Sequence, residues 1–135
     1  MSNHRETVGA IYEAFGRGDV AAILDHVAED VQWEYAWETS SIPWLVPGRG
    51  RDHVAHFFSV LHQQLAFNSF AVNHLLAGDG LVVALASIDA TVRATGRHII
   101  EIDEPHIWYF NDSGAVYKFR HAADTHQHVQ ALQPE

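Results

Sequence analysis

The stretch from Val8 to Tyr35 constrains the fold of this chain more than any other segment. Its first apolar residues recur at the spacing of one helical face: Val8, Ile11, Tyr12 and Phe15. Gly16 and Gly18 end this helix, and Asp19 is well placed to cap a second one. A strand with alternating apolar residues follows at Val31–Ala36. Two short helices followed by an aromatic-rich strand predict a pocket lined by helices and closed by a sheet.

The second half of the chain predicts an antiparallel meander. Its four strands are expected at Ser69–Ala77, Leu81–Ala94, Arg97–Phe110 and Ala115–Ala123, separated by turns that contain Gly. We expect a third helix capped by Asp52 before the meander, and a last helix at Thr125–Leu132 after it. These elements predict an α+β fold, in which a curved and mostly antiparallel sheet wraps around helices to form a cone with an internal pocket.

Length and composition restrict the class of protein. The chain has 135 residues, 47% of them apolar, which suits a single domain over residues 1–135. A net charge of −9, with Lys118 as the only lysine, argues against nucleic acid and anionic membrane surfaces. The absence of cysteine excludes disulfides and thiolate chemistry. With no signal peptide or membrane-spanning segment in the sequence, we expect a cytoplasmic protein.

Several segments resemble the SnoaL-like polyketide cyclases and ketosteroid-isomerase-like proteins of the nuclear transport factor 2 superfamily. The resemblance lies in IYEAFGRGDVAAIL followed by EDVQWE, in GRGRDHVAHFF, and in the stretch from TGRHIIEIDEPHIWYF to the tail HAADTHQHVQAL. It covers nearly the whole chain. It implies the cone fold, a pocket for a small apolar or aromatic ligand, no cofactor, and a homodimer formed through the outer face of the sheet.

Three residues are candidates for catalysis. His106 occupies the place where the resemblance puts an oxyanion-hole acid, and alternation sets it on one face with Ile100, Ile102 and Trp108. Imidazole can both donate and accept a proton near neutral pH. His121 is expected to face inward and to pair with His106. Asp124 resembles the acid/base aspartate of SnoaL-like cyclases.

Asp124 also has a structural interpretation, because its position before Thr125 and three residues before Gln127 fits a helix N-cap. Both interpretations of this carboxylate remain open from the sequence. The position at which ketosteroid isomerases carry their base is Tyr35 in this chain.

Aromatic and polar residues on the predicted inner faces are candidates for ligand binding. They are Trp33, Tyr35, Phe57, His74, Trp108 and Phe119. The alternative for each is ordinary core packing, or for His74 a satisfied buried polar group. Trp37 and Trp44 lie in a long predicted loop and are interpreted as a lid.

The eleven histidines raise the question of a metal site. His53 and His56 are three residues apart on a predicted helix, and a second cluster contains His121, Asp124, His126 and His128. Neither spacing matches an established zinc signature, and we expect no metal.

The sequence thus predicts cofactor-free acid/base isomerisation, cyclisation or dehydration of a small apolar carbonyl or cyclic substrate. A non-catalytic ligand-binding protein of the same fold is the alternative, and a protein-interaction module is a third possibility.

Overall fold

One sheet organises the protein in the computed structural model, which describes residues 3–34 and 41–134. Its strands are Val27–Trp33 (β1), Gly48–Arg49 (β2), Leu65–Gly78 (β3), Leu81–Val92 (β4), His98–Phe110 (β5) and Val116–His121 (β6). The helices are His4–Gly16 (α1), Val20–Leu24 (α2), Arg51–Gln64 (α3) and Thr125–Leu132 (α4).

The strands are arranged in the order β2-β1-β6-β5-β4-β3. β1 and β6 run parallel, and every other neighbouring pair is antiparallel. The helices pack against the sheet to give the α+β cone, which confirms the predicted fold class. No helix within the described residues is both long and apolar enough to cross a membrane.

Local capping signals explain where most helices begin. The side chain of Asn3 accepts a hydrogen bond from the Glu6 amide, and that of Asp19 accepts one from the Ala22 amide. The predicted cap of α3 by Asp52 is wrong. Gly50 is the N-cap residue there, with φ of +89°, a conformation that glycine adopts without steric cost.

Two strands begin earlier than the sequence suggests, while the last helix has its predicted bounds. β1 starts at Val27 rather than Val31, and β3 starts at Leu65 rather than Ser69. Leu65 pairs with Val92 at the far end of β4, so the long β3–β4 ladder extends to the end of α3.

Tyr35 and Trp37, which the sequence assigns to the pocket and to a lid, lie outside the described residues.

A β-bulge in β5 changes which residues face inward. Ala86 of β4 pairs with Glu104, and Ile88 pairs with Glu101. One residue of β4 therefore lies opposite two of β5 between these pairs. Asp103, one of these two, has φ of +52°.

The bulge brings Glu101 and Glu104 onto the same buried face of the strand. Ile100 and Ile102, predicted to share the inner face with His106, are instead 53% and 81% exposed. Beyond the bulge the alternation agrees with the prediction, because His106 and Trp108 are buried.

Candidate functional site

A cavity of about 90 Å³ lies between the helices and the inner face of the sheet. Its wall is largely aromatic and includes the predicted residues Trp33, Phe57, Trp108 and Phe119. The rings of Trp33 and Phe119 stack with centroids 4.2 Å apart, and Trp108 lies 4.4 Å from Phe119. Such a wall suits a flat, apolar ligand.

An outer groove of about 860 Å³ adjoins the cavity between α1, α3 and β3. Four phenylalanines line both spaces: Phe15, Phe58, Phe67 and Phe70. Phe15 contacts the other three, with centroid distances of 5.1–5.9 Å. These four rings form an aromatic partition between the cavity and the groove.

The polar part of the cavity is built from three buried pairs of histidine and glutamate. The nitrogen–oxygen distances are 2.7 Å for His106–Glu104, 2.7 Å for His121–Glu34 and 3.0 Å for His128–Glu101. Every one of these six side chains is less than 10% exposed. Buried charges of this kind require partners, and each imidazole supplies one to its carboxylate.

Both ring nitrogens of His106 are engaged. Its Nε2 lies 2.7 Å from Glu104 Oε2, and its Nδ1 lies 2.5 Å from the Tyr12 hydroxyl. The Trp108 indole N–H donates to that hydroxyl at 3.1 Å, which leaves the hydroxyl proton free to be donated to His106. Burial raises the pKa of Tyr12 well above its usual value, so it remains a phenol. No other described residue accepts from the Tyr12 hydroxyl, so the hydroxyl donates to His106 Nδ1. His106 then carries its proton on Nε2 and donates a hydrogen bond to Glu104.

His128 is fixed in the neutral form by Trp44. The indole N–H can only donate, and it lies 2.9 Å from His128 Nδ1, which must therefore be an acceptor. Nε2 then carries the proton and donates to Glu101 Oε1 at 3.0 Å. The backbone N–H of Asp124 donates to the same oxygen at 3.0 Å. Trp44 is thus a buried part of the cavity wall, only 2% exposed, and not an exposed loop residue.

His121 differs from the other two histidines because one ring nitrogen is free. Nδ1 lies 2.7 Å from Glu34 Oε1, whereas Nε2 has no hydrogen bond to a described residue. Burial alone would lower the pKa of His121, but the charge and hydrogen bond of Glu34, together with the charges of Glu104 and Glu101, raise it to about 9. At neutral pH His121 is an imidazolium with one N–H available.

The remaining carboxylates are buried with incomplete pairing. Burial opposes the ionisation of Glu104, but the hydrogen bond from His106 and the nearby charge of His121 hold its pKa below the usual value. Glu34 is completely buried although strand alternation places it on the polar face. Its φ of +56° ends the alternation of β1, and its Oε2 has no hydrogen-bond partner among the described residues.

One group of side chains has the composition of a metal site. Single ligand atoms of Glu101, Glu104 and His128 lie within 4.8 Å of one another. The bond from Trp44 keeps the proton on His128 Nε2, so this nitrogen has no lone pair for a metal. The group therefore fits a cation held by the two carboxylates better than a metal ion coordinated by His128.

The structure brings together most, but not all, of the predicted site residues. His106 and His121 line the cavity, with rings 5.6 Å apart. Asp124 does not line it, because its side chain caps α4 by accepting from the Gln127 amide at 3.2 Å. His74 is exposed on β3 and is also absent from the cavity wall, so its predicted ligand contact has no geometric basis.

The site contains four residues that sequence reasoning did not assign to it: Tyr12, Glu34, Glu101 and Glu104. Trp44 and His128 were named only as a lid residue and as part of a histidine cluster, and the hydrogen bond between them was not expected. One signal was present: the segment Glu101–His106 places three carboxylates and a proline inside an otherwise apolar strand. Carboxylates at this density in a buried strand indicate a bulge or a functional site.

The model of the SnoaL-like domain matches residues 8–120. The chain belongs to the SnoaL-like domain family. No curated protein matches it. Among solved structures, an NTF2-like protein from Burkholderia thailandensis is 25% identical, with a TM-score of 0.84 and coverage of 99% of this chain and 100% of that one.

Two further members of this structural group are known with a ligand or an activity. The protein TerC, co-crystallised with polyporic acid, is 20% identical, with a TM-score of 0.79 and coverage of 96% of this chain and 98% of TerC. An LEH-like epoxide hydrolase from M. tuberculosis is 13% identical, with a TM-score of 0.67 and coverage of 96% and 88%. At this identity both show the common fold.

Proposed function

We propose that this SnoaL-like protein binds a small, ring-containing substrate in the aromatic cavity and performs acid/base chemistry on it without a cofactor. The observation that carries the proposal is the His121–Glu34 pair. His121 Nδ1 is bonded to a buried carboxylate, while Nε2 has no hydrogen bond to any residue that the structure describes, in a cavity where both ring nitrogens of His106 and His128 are bonded. A carboxylate that orients an imidazole in this way is the usual arrangement of a proton-transferring histidine.

In this proposal His121 donates a proton or a hydrogen bond to the substrate carbonyl oxygen. Charge develops on that oxygen when a neighbouring C–H bond loses its proton, and an imidazolium stabilises it in a site that excludes water. Glu104 is the proposed base, since it is ionised and lines the same cavity. His106 orients Glu104 through the 2.7 Å hydrogen bond and is a positioning residue.

The same pair of groups serves enolate-forming isomerisation, aldol cyclisation and dehydration, which differ in what the enolate does next. The fold comparisons support a small ring-containing ligand, because TerC was co-crystallised with polyporic acid. The epoxide hydrolase also shows that this fold can host catalysis.

Hydrogen–deuterium exchange tests the proposal without knowledge of the natural substrate. Cyclic ketones such as 2-tetralone are incubated with the protein in D₂O, and loss of the α-proton signal is followed by NMR. We expect exchange above background with the wild-type chain and at least a tenfold loss in His121→Gln. His98→Gln is the matched control, because His98 forms an exposed histidine–carboxylate pair with Asp89 outside the cavity. Equal exchange by wild type and His121→Gln for every ketone that exchanges would refute the role of His121.

A non-catalytic ligand-binding protein is the second candidate. It is favoured by His106 and His128, whose ring nitrogens are all used in fixed hydrogen bonds and so contribute rigidity. Ligands that raise the melting temperature and bind reversibly, without exchange or turnover of any enolisable ligand, would support this candidate.

We also propose that two copies associate through the outer face of the sheet, in the cytoplasm. Ile100 and Ile102, two residues apart on β5, are 53% and 81% exposed. Adjacent exposed apolar side chains on a sheet favour an association surface. Light scattering of the wild type and of Ile102→Glu tests this, with a dimer expected only for the wild type.

A further inference from the structure

The charges around the cavity do not balance. Among the residues that the structure describes, three carboxylates are buried there: Glu34, Glu101 and Glu104. Of the three imidazoles that pair with them, His128 is held neutral by the N–H of Trp44, and His106 is neutral because its Nδ1 accepts a hydrogen bond from the Tyr12 hydroxyl. His121 is the one imidazole of these pairs left to carry a positive charge.

An excess of buried negative charge is costly, because desolvation of a carboxylate is repaid only by a cation or by several hydrogen bonds. The excess of negative charge is present in both protonation states of His121, and it is larger when His121 is neutral. A ligand that brings a positive charge into the cavity would complete the pairing.

The carboxylates have room to receive such a ligand. Glu101 accepts the hydrogen bond of His128 through Oε1, and Glu104 accepts that of His106 through Oε2. The other oxygen of each carboxylate accepts no hydrogen bond from a described residue, and both residues line the cavity. The two carboxylates are close neighbours, because one oxygen of Glu101, bonded or unbonded, lies within 4.8 Å of one oxygen of Glu104. One ammonium nitrogen at about 2.8 Å from each can bridge them.

The aromatic rings around His106, which is bonded to Glu104, suit the apolar part of such a ligand. Tyr12 and Phe70 lie 5.9 Å and 6.4 Å from the His106 ring, and Phe119 lies 6.1 Å from it. Aromatic faces attract organic cations and pack against apolar rings. A free divalent cation would gain nothing from this wall, and it would lack a third ligand while Trp44 holds His128 in its present form.

We propose that the cavity binds a primary amine carried on an apolar ring, with its ammonium group between the carboxylates of Glu101 and Glu104. This goes beyond the proposed function by naming a ligand class, and it rests on that function only in taking the cavity as the ligand site. While the ammonium group is bound, Glu104 is its counter-ion, and it serves as a base only for ligands that lack this group. Anionic ligands are disfavoured by the same carboxylates. An uncharged ligand with a ring of equal size is bound only by its contacts with the aromatic cavity wall.

Three probes of nearly equal size test the charge selection: benzylamine, benzyl alcohol and benzoate. Their dissociation constants are measured by ligand-detected NMR at pH 7 and constant ionic strength, with ethylamine as a charged probe that lacks a ring. We expect benzylamine to bind at least tenfold more tightly than each of the others. Equal binding of benzylamine and benzyl alcohol, or tighter binding of benzoate, would overturn the inference.

Variants locate the ammonium site. Glu101→Gln and Glu104→Gln keep the side-chain shape and should each weaken benzylamine at least tenfold while leaving benzyl alcohol within twofold. Glu29→Gln removes the same charge from an exposed position and should leave both ligands unchanged. A loss of benzylamine binding in Glu29→Gln as large as in Glu104→Gln would show attraction by net charge alone and would overturn the inference.

The binding data are independent of the exchange experiment. Amine selectivity without any deuterium exchange would leave the ligand class standing and remove the catalytic role. Exchange of ketones without selective binding of amines would support the catalytic role and overturn the proposed ligand class.

Discussion

Glu101 and Glu104 face the same cavity although three positions separate them along one strand, where regular alternation would put them on opposite faces. The extra residue of the β5 bulge makes this possible. Asp103 occupies the bulge in the left-handed region, and its carboxylate accepts a hydrogen bond from the Asn73 amide. The bulge therefore determines the polar character of the site.

Asp103→Val should destabilise the protein, because a β-branched residue at φ of +52° is strained by about 1–2 kcal/mol. Asp103→Asn is the control, since asparagine tolerates this conformation and retains an acceptor for Asn73. Urea unfolding measures both. Equal stability of the two variants would contradict the assignment of strain to this position.

The His121–Glu34 pair should make stability depend on alkaline pH. The pKa of His121 is raised in the folded protein to about 9 from an ordinary 6.5, so the folded state binds the extra proton between these values. The pair contributes its full stabilisation below pH 6.5 and loses it as the pH rises through 9. The loss is at most about 3 kcal/mol.

Urea unfolding from pH 6 to 9.5 checks this pH dependence in the wild type and in His121→Gln. The difference in free energy of unfolding between them should shrink as the pH rises. A difference that is constant or grows would mean that the pKa of His121 is not raised.

Tyr12→Phe should cost about 1–3 kcal/mol, because removal of the hydroxyl leaves both Trp108 Nε1 and His106 Nδ1 without their partner. Tyr117→Phe removes the same group from a half-buried residue whose ring packs against Tyr109, and it should change stability by less than about 0.5 kcal/mol. Thermal or urea unfolding of the two variants compares them directly. Similar losses would argue against the Trp108–Tyr12–His106 chain.

Variants of Asp124 separate its capping role from a chemical one. Asp124→Asn should retain stability, whereas Asp124→Ala should lose about 1 kcal/mol through loss of the α4 cap. Neither should change the rate of deuterium exchange per folded molecule. Loss of exchange in a fully folded Asp124→Asn would restore the catalytic interpretation suggested by the sequence.

Local patterns allowed much of the fold to be predicted. The glycine turns and the alternation of the meander depend on neighbouring residues, and the start of α4 follows from Asp124 and Gln127 alone. The face of β5 was predicted correctly from His106 onward and incorrectly before it. A single extra residue reverses the alternation, and the sequence indicates it only by Pro105 and the three carboxylates of Glu101–His106.

The site itself depends on pairs that are distant in sequence. His121 and Glu34 are 87 residues apart, and Tyr12 and His106 are 94 residues apart. No local pattern encodes such a pairing, so the inward histidines were predictable and their partners were not. The burial of Glu34 could not be predicted either, because the turn at the end of β1 moves its side chain to the face opposite the one that alternation assigns to it.

The aromatic partition has a kinetic consequence. Because Phe15, Phe58, Phe67 and Phe70 line both the cavity and the outer groove, a ligand that passes between these spaces must move past mutually packed rings. Residence time then depends on how often α1, α3 and β3 separate enough for the rings to rotate, whereas equilibrium affinity depends on the groups deeper inside. In this protein the packing of these four rings therefore affects the speed of ligand exchange, while the charged groups deeper inside affect only the strength of binding.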